Sequence, residues 1–183
     1  MLVGTKVYLR GLEETDLELT HQWVNDQEII DTVGVRAPIS RKQQQEWFEG
    51  LTRDRSKVVF AICLNESDQH VGNVSLRDID TLHRHALFSI FLDERTARGG
   101  GIGSEATILT LKHAFGLLNL HRVYLKTTAE NAAAIAMYRK LGFTQEGRLR
   151  DHEFKNGFYV DKVLFGMLAS EFASGSVATH ASE

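Results

Sequence analysis

The sequence predicts a single α+β domain: a mixed, mostly antiparallel sheet of about seven strands flanked by about four helices. Three observations carry this. The apolar runs Lys57–Leu64, Val71–Leu76 and His85–Leu92 follow one another across short turns, the pattern of an antiparallel meander. Helical and extended patterns then alternate through Asn131–Leu141 to the end of the folded chain. No repeat and no Pro/Gly/Ser-rich linker divides the 183 residues, a length that suits one domain. That domain is expected over residues 1–173, with the small, polar stretch 174–183 as a disordered tail.

Lys6–Arg10 alternates Val7 and Leu9 with polar neighbours and opens the sheet as a strand. Thr15 or Asp16 then caps a helix carrying Leu17, Leu19 and Trp23, which fades near Asn25-Asp26. Residues 29–37 are irregular and end at the only proline, Pro38, which disfavours helix just before it. Ser40 with Gln43 forms a capping box that opens a second helix through Trp47 and Phe48. The meander follows, with turn chemistry at Asn65–Gln69. In the third helix Ile108, Leu111, Phe115 and Leu118 fall at 3-4-3 spacing on one face. Arg122–Thr128 is a strand and Asn131–Leu141 a helix stopped by Gly142. Thr144–Asp151 and Phe158–Leu168 close the fold around a turn at Asn156-Gly157.

Composition narrows the function classes. A net charge of −3 gives no basic footprint for nucleic acid. No apolar run approaches the ~18 residues of a membrane span, and Met1–Arg10 has no secretory signal pattern, so a cytoplasmic location is expected. The single cysteine, Cys63, excludes an internal disulfide framework and a multi-cysteine metal site. Flanked by Ala61, Ile62 and Leu64, it reads as a small buried hydrophobe rather than a nucleophile. No metal is expected.

Chemistry concentrates at Arg98–Ser104, which reads R-G-G-G-I-G-S between a strand and a helix start. Almost bare backbone at a helix N-terminus lets N–H groups converge on an anion, and a phosphate or diphosphate is the natural ligand. Gly101–Ala106 formally matches the dinucleotide fingerprint G-x-G-x-x-A. Antiparallel strands precede it, however, and the next strand ends in Lys126-Thr127-Thr128 with no acidic residue. No Walker Gly-Lys-Ser/Thr occurs. A ligand-free turn would be an entropically costly use of four glycines in five residues.

Downstream residues extend the pattern. Arg98-x-x-Gly101-x-Gly103 is followed by Leu118–Val123, then Asn131-x-x-Ala134-Ile135-x-x-Tyr138-x-x-x-Gly142-Phe143. Glu146-Gly147-x-x-Arg150 and Phe154-x-Asn156-Gly157-x-Tyr159-x-Asp161 continue it. This series resembles the GNAT superfamily of acetyl-CoA-dependent N-acetyltransferases, in the branch of ribosomal-protein N-terminal acetyltransferases and spermidine acetyltransferases. The resemblance covers about residues 6–170 and is densest from Arg98 to Asp161.

It implies that the amides of Gly99, Gly100, Gly101, Ile102, Gly103 and Ser104, with Arg98 beside them, hold the acetyl-CoA diphosphate. Ser104 either adds its hydroxyl or caps the helix. The resemblance also implies strands four and five that splay apart, with pantetheine in the gap against main-chain groups of Ser89, Ile90, Phe91 and Leu92. An N–H there would polarise the thioester carbonyl. Tyr138 would be the acid that protonates the departing thiolate; a phenol near pKa ~10 stays protonated at neutral pH. The same tyrosine also fits an apolar stripe with Ala134 and Leu141. Asn131 caps the helix and, by the resemblance, approaches the cofactor.

The acceptor is where this chain departs. Relatives in the N-terminal-acetylating branch often carry a glutamate on the fourth strand, where this chain has Ala86-Leu87-Phe88-Ser89-Ile90. A water chain, Asp93, Glu94, His83 and His85 are the candidate bases, although His83-Arg84-His85 reads first as a solvated hairpin turn. Polyamine acetylators place acidic residues before the proline that follows the first helix; here Val35-Arg36-Ala37 stands there, with Asp26, Glu28 and Asp31 nearby. His152-Glu153-Phe154 beside Asn156-Gly157 is similar to the spermidine branch. A small amine such as a polyamine or amino sugar, or a protein N-terminus, therefore stands as acceptor, and a homodimer fits the pattern. The alternative is an acyl-CoA-binding sensor or partner module of the same fold without turnover.

Overall fold

The computed structural model describes residues 1–26, 37–93, 95, 100–155 and 157–174. Strands β1 (Leu2–Val3), β2 (Val7–Gly11), β3 (Val58–Leu64), β4 (His70–Asp80), β5 (His85–Leu92), β6 (Arg122–Thr128), β7 (Thr144–Lys155) and β8 (Phe158–Leu168) form one sheet, ordered β1-β2-β3-β4-β5-β6-β8-β7. Every pairing is antiparallel except β5 with β6, which is parallel. The helices are α1 (Leu17–Asn25), α2 (Arg41–Arg53), α3 (Ile102–Lys112, running into a wider π turn at His113–Leu117), α4 (Ala132–Lys140) and α5 (Ala169–Ser174). The elements beyond the expected seven strands and four helices include the two-residue β1 and the six-residue α5. Neither is long enough to carry a sequence period. Ser174, the first residue of the expected tail, ends α5; residues 175–183 lie outside the described residues.

Strand register sorts the side chains. Val7, Leu9, Ile62, Val74, Leu76 and Phe88 share one face and form the core with Ala106, Leu109 and Leu111 of α3 and Tyr138 and Leu141 at α4. The opposite face carries Arg10, Cys63 and Phe91, with Trp23 of α1 edge-on to Phe91 at 5.2 Å. Cys63 is fully buried.

Local signals were kept or overridden for definable reasons. Ser40 accepts the Gln43 N–H while Gln43 accepts the Ser40 N–H, so the capping box opens α2 as expected. Neither Thr15 nor Asp16 caps α1 with its side chain, which corrects that expectation. The Asp16 carboxylate is drawn away by a bidentate pair from Arg10 (2.6 and 2.8 Å), by the Glu13 N–H and by His70 Nδ1 at 3.1 Å. A buried ion pair with extra donors outbids one helix cap. In α3 the predicted stripe is only partly right: Leu111 is fully buried, whereas Ile108, Phe115 and Leu118 are half-buried. Thr107 and Thr110 go into the core instead, their hydroxyls bonding back to Gly103 and Ala106 carbonyls.

At Gly72 of β4 the backbone of β5 leaves no room for a side chain. A β-carbon there would lie 2.2 Å from the Phe91 carbonyl oxygen and 2.9 Å from Leu92 Cα, both backbone atoms that cannot rotate away. Gly72→Ala is expected to cost about 1–3 kcal/mol. A thermal midpoint equal to that of the wild type would show that this approach is not needed.

Candidate active site

The parallel pair that divides the sheet is short. β5 and β6 are in register only over His85–Leu87 and Arg122–Tyr124, and past that point each strand stays with its outer neighbour. A gap therefore opens between Phe88–Leu92 and the second half of β6. Counting from the predicted first strand at Val7, these are strands four and five.

Main-chain direction in the gap follows from the ladder. The Asp93 N–H donates to the Val71 carbonyl, and β4–β5 register is unbroken from Gly72/Leu92 to Arg77/Leu87. Alternation then turns the main-chain groups of Ser89 and Phe91 toward β4 and those of Phe88, Ile90 and Leu92 into the gap. The Arg84 carbonyl, two steps before Ala86 in the same phase, accepts from His121 and Arg122 N–H on the β6 side. Of the expected residues, Ile90 and Leu92 are the ones whose main-chain groups are not taken by β4. For Ser89 and Phe91 the expectation is corrected: their amides belong to the sheet.

The glycine loop meets the far end of the gap. Gly100 and Gly101 take φ of +65° and +79°, a region that side chains disfavour. Gly101 occupies the N-cap position of α3 with no side-chain cap, and the first helical bond runs from the Glu105 N–H to the Gly101 carbonyl. The N–H groups of Ile102, Gly103 and Ser104 consequently lie at the open start of the helix. Ser104 is inside the helix, so the capping alternative for it falls. A β-carbon on Gly103 would press Leu92 Cδ1 at 3.2 Å and Met137 Sδ at 3.5 Å, so the loop, the end of β5 and α4 converge here. Bare amides, a helix dipole and close backbone packing fit a diphosphate. Arg98 and Gly99 lie outside the described residues.

Tyr138 sits at the root of the gap. Its ring packs on Phe88, the first residue past the parallel pairing, and on Phe143 and Phe165, at centroid distances of 5.6–6.4 Å. It is 6% exposed, and burial pushes the phenol up from 10.0 to about 12, above the value expected from sequence. The neutral phenol is favoured, so the stabilising effect is fully present below pH 10 and is lost as pH rises toward 12. Raising pH through that window is expected to destabilise the wild type by on the order of 2 kcal/mol more than Tyr138→Phe. Urea melts of both proteins at several pH values check it; parallel pH curves would contradict it. Asn131 caps α4 through Oδ1, which accepts the Ala134 N–H at 3.0 Å, and it is exposed.

Of the candidate bases, Asp93 is committed elsewhere. Its oxygens accept from Arg95 N–H, Nε and guanidinium N–H groups and from Trp23 Nε1 at 2.9–3.1 Å. Arg95, whose guanidinium also reaches Asp26, holds this carboxyl below its usual range. Asp93 is thus a poor proton acceptor and a clamp between α1 and the end of β5. His83 lies 2.9 Å from Asp80 in the β4–β5 hairpin, exposed as the turn reading expects. His85 belongs to the closed end of β5, beside Tyr124. Glu94, Glu28 and Asp31 lie outside the described residues. Among the described residues no cluster of three His, Cys, Asp or Glu side chains is arranged to hold a metal ion, and no helix is long and apolar enough to cross a membrane.

Sequence reasoning missed two groups around the site. Glu105 reaches back from the first turn of α3 to four donors on Thr5–Val7, and Trp23 ties α1 to Asp93. Both are contacts between residues 70 to 100 apart, which no local pattern announces.

Comparison with known families agrees with this geometry: the Acetyltransferase (GNAT) domain model matches residues 6–144. The chain belongs to the GNAT acetyltransferase family. This GNAT chain is 33% identical over 154 residues to a spermidine N(1)-acetyltransferase of Escherichia coli, covering 84% of this chain and 81% of that protein. A Vibrio cholerae spermidine N(1)-acetyltransferase is 28% identical over 174 residues, 95% and 99% of the two chains. The crystal structure of the Vibrio cholerae spermidine N-acetyltransferase in complex with CoA and spermine superposes with a TM-score of 0.87 at 28% identity, covering 92% of this chain and 99% of that one. The single α+β domain and its open mixed sheet are thus those of GNAT enzymes.

Proposed function

We propose that this protein transfers the acetyl group of acetyl-CoA to a primary amine of a polyamine, directly and without a covalent enzyme intermediate. The observation that carries the reading is the gap between β5 and β6, with outward-turned main chain along it, a phosphate-ready glycine loop at its mouth and a buried phenol at its root. Acetyl-CoA supplies the activated acyl group. The amides of Gly100–Ser104 grip its diphosphate, joined by Gly99 and Arg98 of the same motif. Main-chain groups of Ile90 and Leu92 pair with the pantetheine amides as an added strand would, and an N–H on this edge polarises the carbonyl. The amine nitrogen bonds to the carbonyl carbon, the C–S bond breaks, and Tyr138 gives its proton to the sulfur. The ammonium form of the acceptor must first release a proton; with Asp93 tied to Arg95, a water chain, Glu94, His83 and His85 stand as the routes for it.

Support for a polyamine comes from the spermidine N-acetyltransferases that this chain resembles and from the spermine complex of one of them. A homo-oligomer is also proposed, since the Vibrio cholerae relative is described as dodecameric; light scattering tests it.

Thiol release from acetyl-CoA, measured against spermidine, spermine, an amino sugar and a peptide N-terminus, tests the acceptor. Turnover fastest with spermidine or spermine is expected. Turnover only with the peptide would move the acceptor to protein N-termini. Tight CoA binding with no turnover on any amine would favour the sensor reading, which the engaged Asp93 and the missing fourth-strand glutamate favour.

A further inference from the structure

Lys6 lies in the reversal between β1 and β2, yet its ammonium touches the glycine loop 94 residues away: Nζ donates to the Gly100 carbonyl. A β-carbon on Gly101 would lie 3.5 Å from the same Nζ. The position is built rather than incidental. The Glu105 carboxylate, in the first turn of α3, accepts the Thr5 N–H (2.7 Å), the Thr5 hydroxyl (2.6 Å), the Lys6 N–H (2.8 Å) and the Val7 N–H (3.0 Å). The turn of helix that presents its amides to an anion thus also holds the backbone that carries Lys6.

Charge explains why a cation belongs there. The Gly100 carbonyl is the negative end of a peptide in a loop otherwise suited to anions, and an ammonium on it removes that repulsion. Glu105 is a further negative group close by. Burial alone would raise its pKa, but its four donors hold it below the usual range, so it stays ionised. Lys6 offsets it. One of the three ammonium donors is taken by Gly100, two remain, and among the described residues no carboxylate pairs with Lys6.

We infer that Lys6 is a phosphate-binding residue of the coenzyme site, its ammonium joining the loop amides on a phosphate of CoA. This rests on the acetyl-CoA reading above. Two phosphate sources share this chemistry, the diphosphate and the 3′-phosphate, and dephospho-CoA lacks only the second.

Titration calorimetry of CoA and dephospho-CoA into the wild type, Lys6→Met and Lys6→Arg, with thermal melts of each free protein, tests the inference. Lys6→Met is expected to weaken CoA binding about tenfold, as loss of a charge-assisted bond at an exposed site should. Lys6→Arg should stay within about threefold of the wild type, since it keeps the charge. The ligand-free melting temperature should not move. A loss that persists with dephospho-CoA assigns Lys6 to the diphosphate; a loss that vanishes assigns it to the 3′-phosphate, and either supports a phosphate role. Lys6→Met binding CoA as tightly as a binding-competent wild type overturns the inference alone, whereas a wild type that binds no CoA overturns the coenzyme reading with it.

Discussion

Tyr138→Phe is expected to lower kcat by about 10²–10³, with CoA affinity held within about twofold. The ring would keep its contacts with Phe88, Phe143 and Phe165, so the root of the gap keeps its shape. Among the described residues the hydroxyl makes no hydrogen bond, so its removal orphans no partner and stability should change by less than about 1 kcal/mol. What disappears is the proton for the departing sulfur. Burial that raises the phenol to about 12 keeps that proton in place across physiological pH. A thiolate formed in the same gap loses hydration as a phenolate would, so donor and acceptor move up together. Steady-state thiol release and CoA calorimetry on the variant separate the two effects. An unchanged kcat would reduce Tyr138 to a packing residue.

Gly101→Glu is expected to weaken CoA binding by at least about a hundredfold, near 3 kcal/mol. Two physical effects add. The residue holds φ at +79°, where a side chain strains the backbone by about 1–2 kcal/mol. The new carboxylate also stands at the open helix start, within reach of Lys6, and repels phosphate while capturing the nearby ammonium. Gly101→Ala carries only the first effect and should lose about tenfold. Calorimetry on both variants checks the order. Retained binding in Gly101→Glu would place the diphosphate elsewhere.

The sequence and the structure part at specific residues. Ser40 and Gln43, the meander from Val58 to Leu92, and the stop of α4 before Gly142 at φ +89° were legible because each depends on neighbours a few residues away. Asp16 reads locally as a cap and is taken by Arg10 and His70 instead. Asp93 reads as a candidate base and is taken by Arg95 and Trp23. In both cases a carboxylate with several available donors goes to the set that best offsets its burial, and those donors come from distant elements.

By itself, the sequence determined the order of strands and helices, the bare amides at the start of α3 and the tyrosine on α4, because periodicity, capping and glycine content act over a few residues. Tertiary structure alone decided which main-chain groups of β5 face the gap, where Tyr138 sits on it, which carboxylates are already engaged, and that Lys6 reaches the glycine loop. These depend on strand register and on contacts between residues up to 100 apart, which are set only when the sheet pairs and the helices close over it.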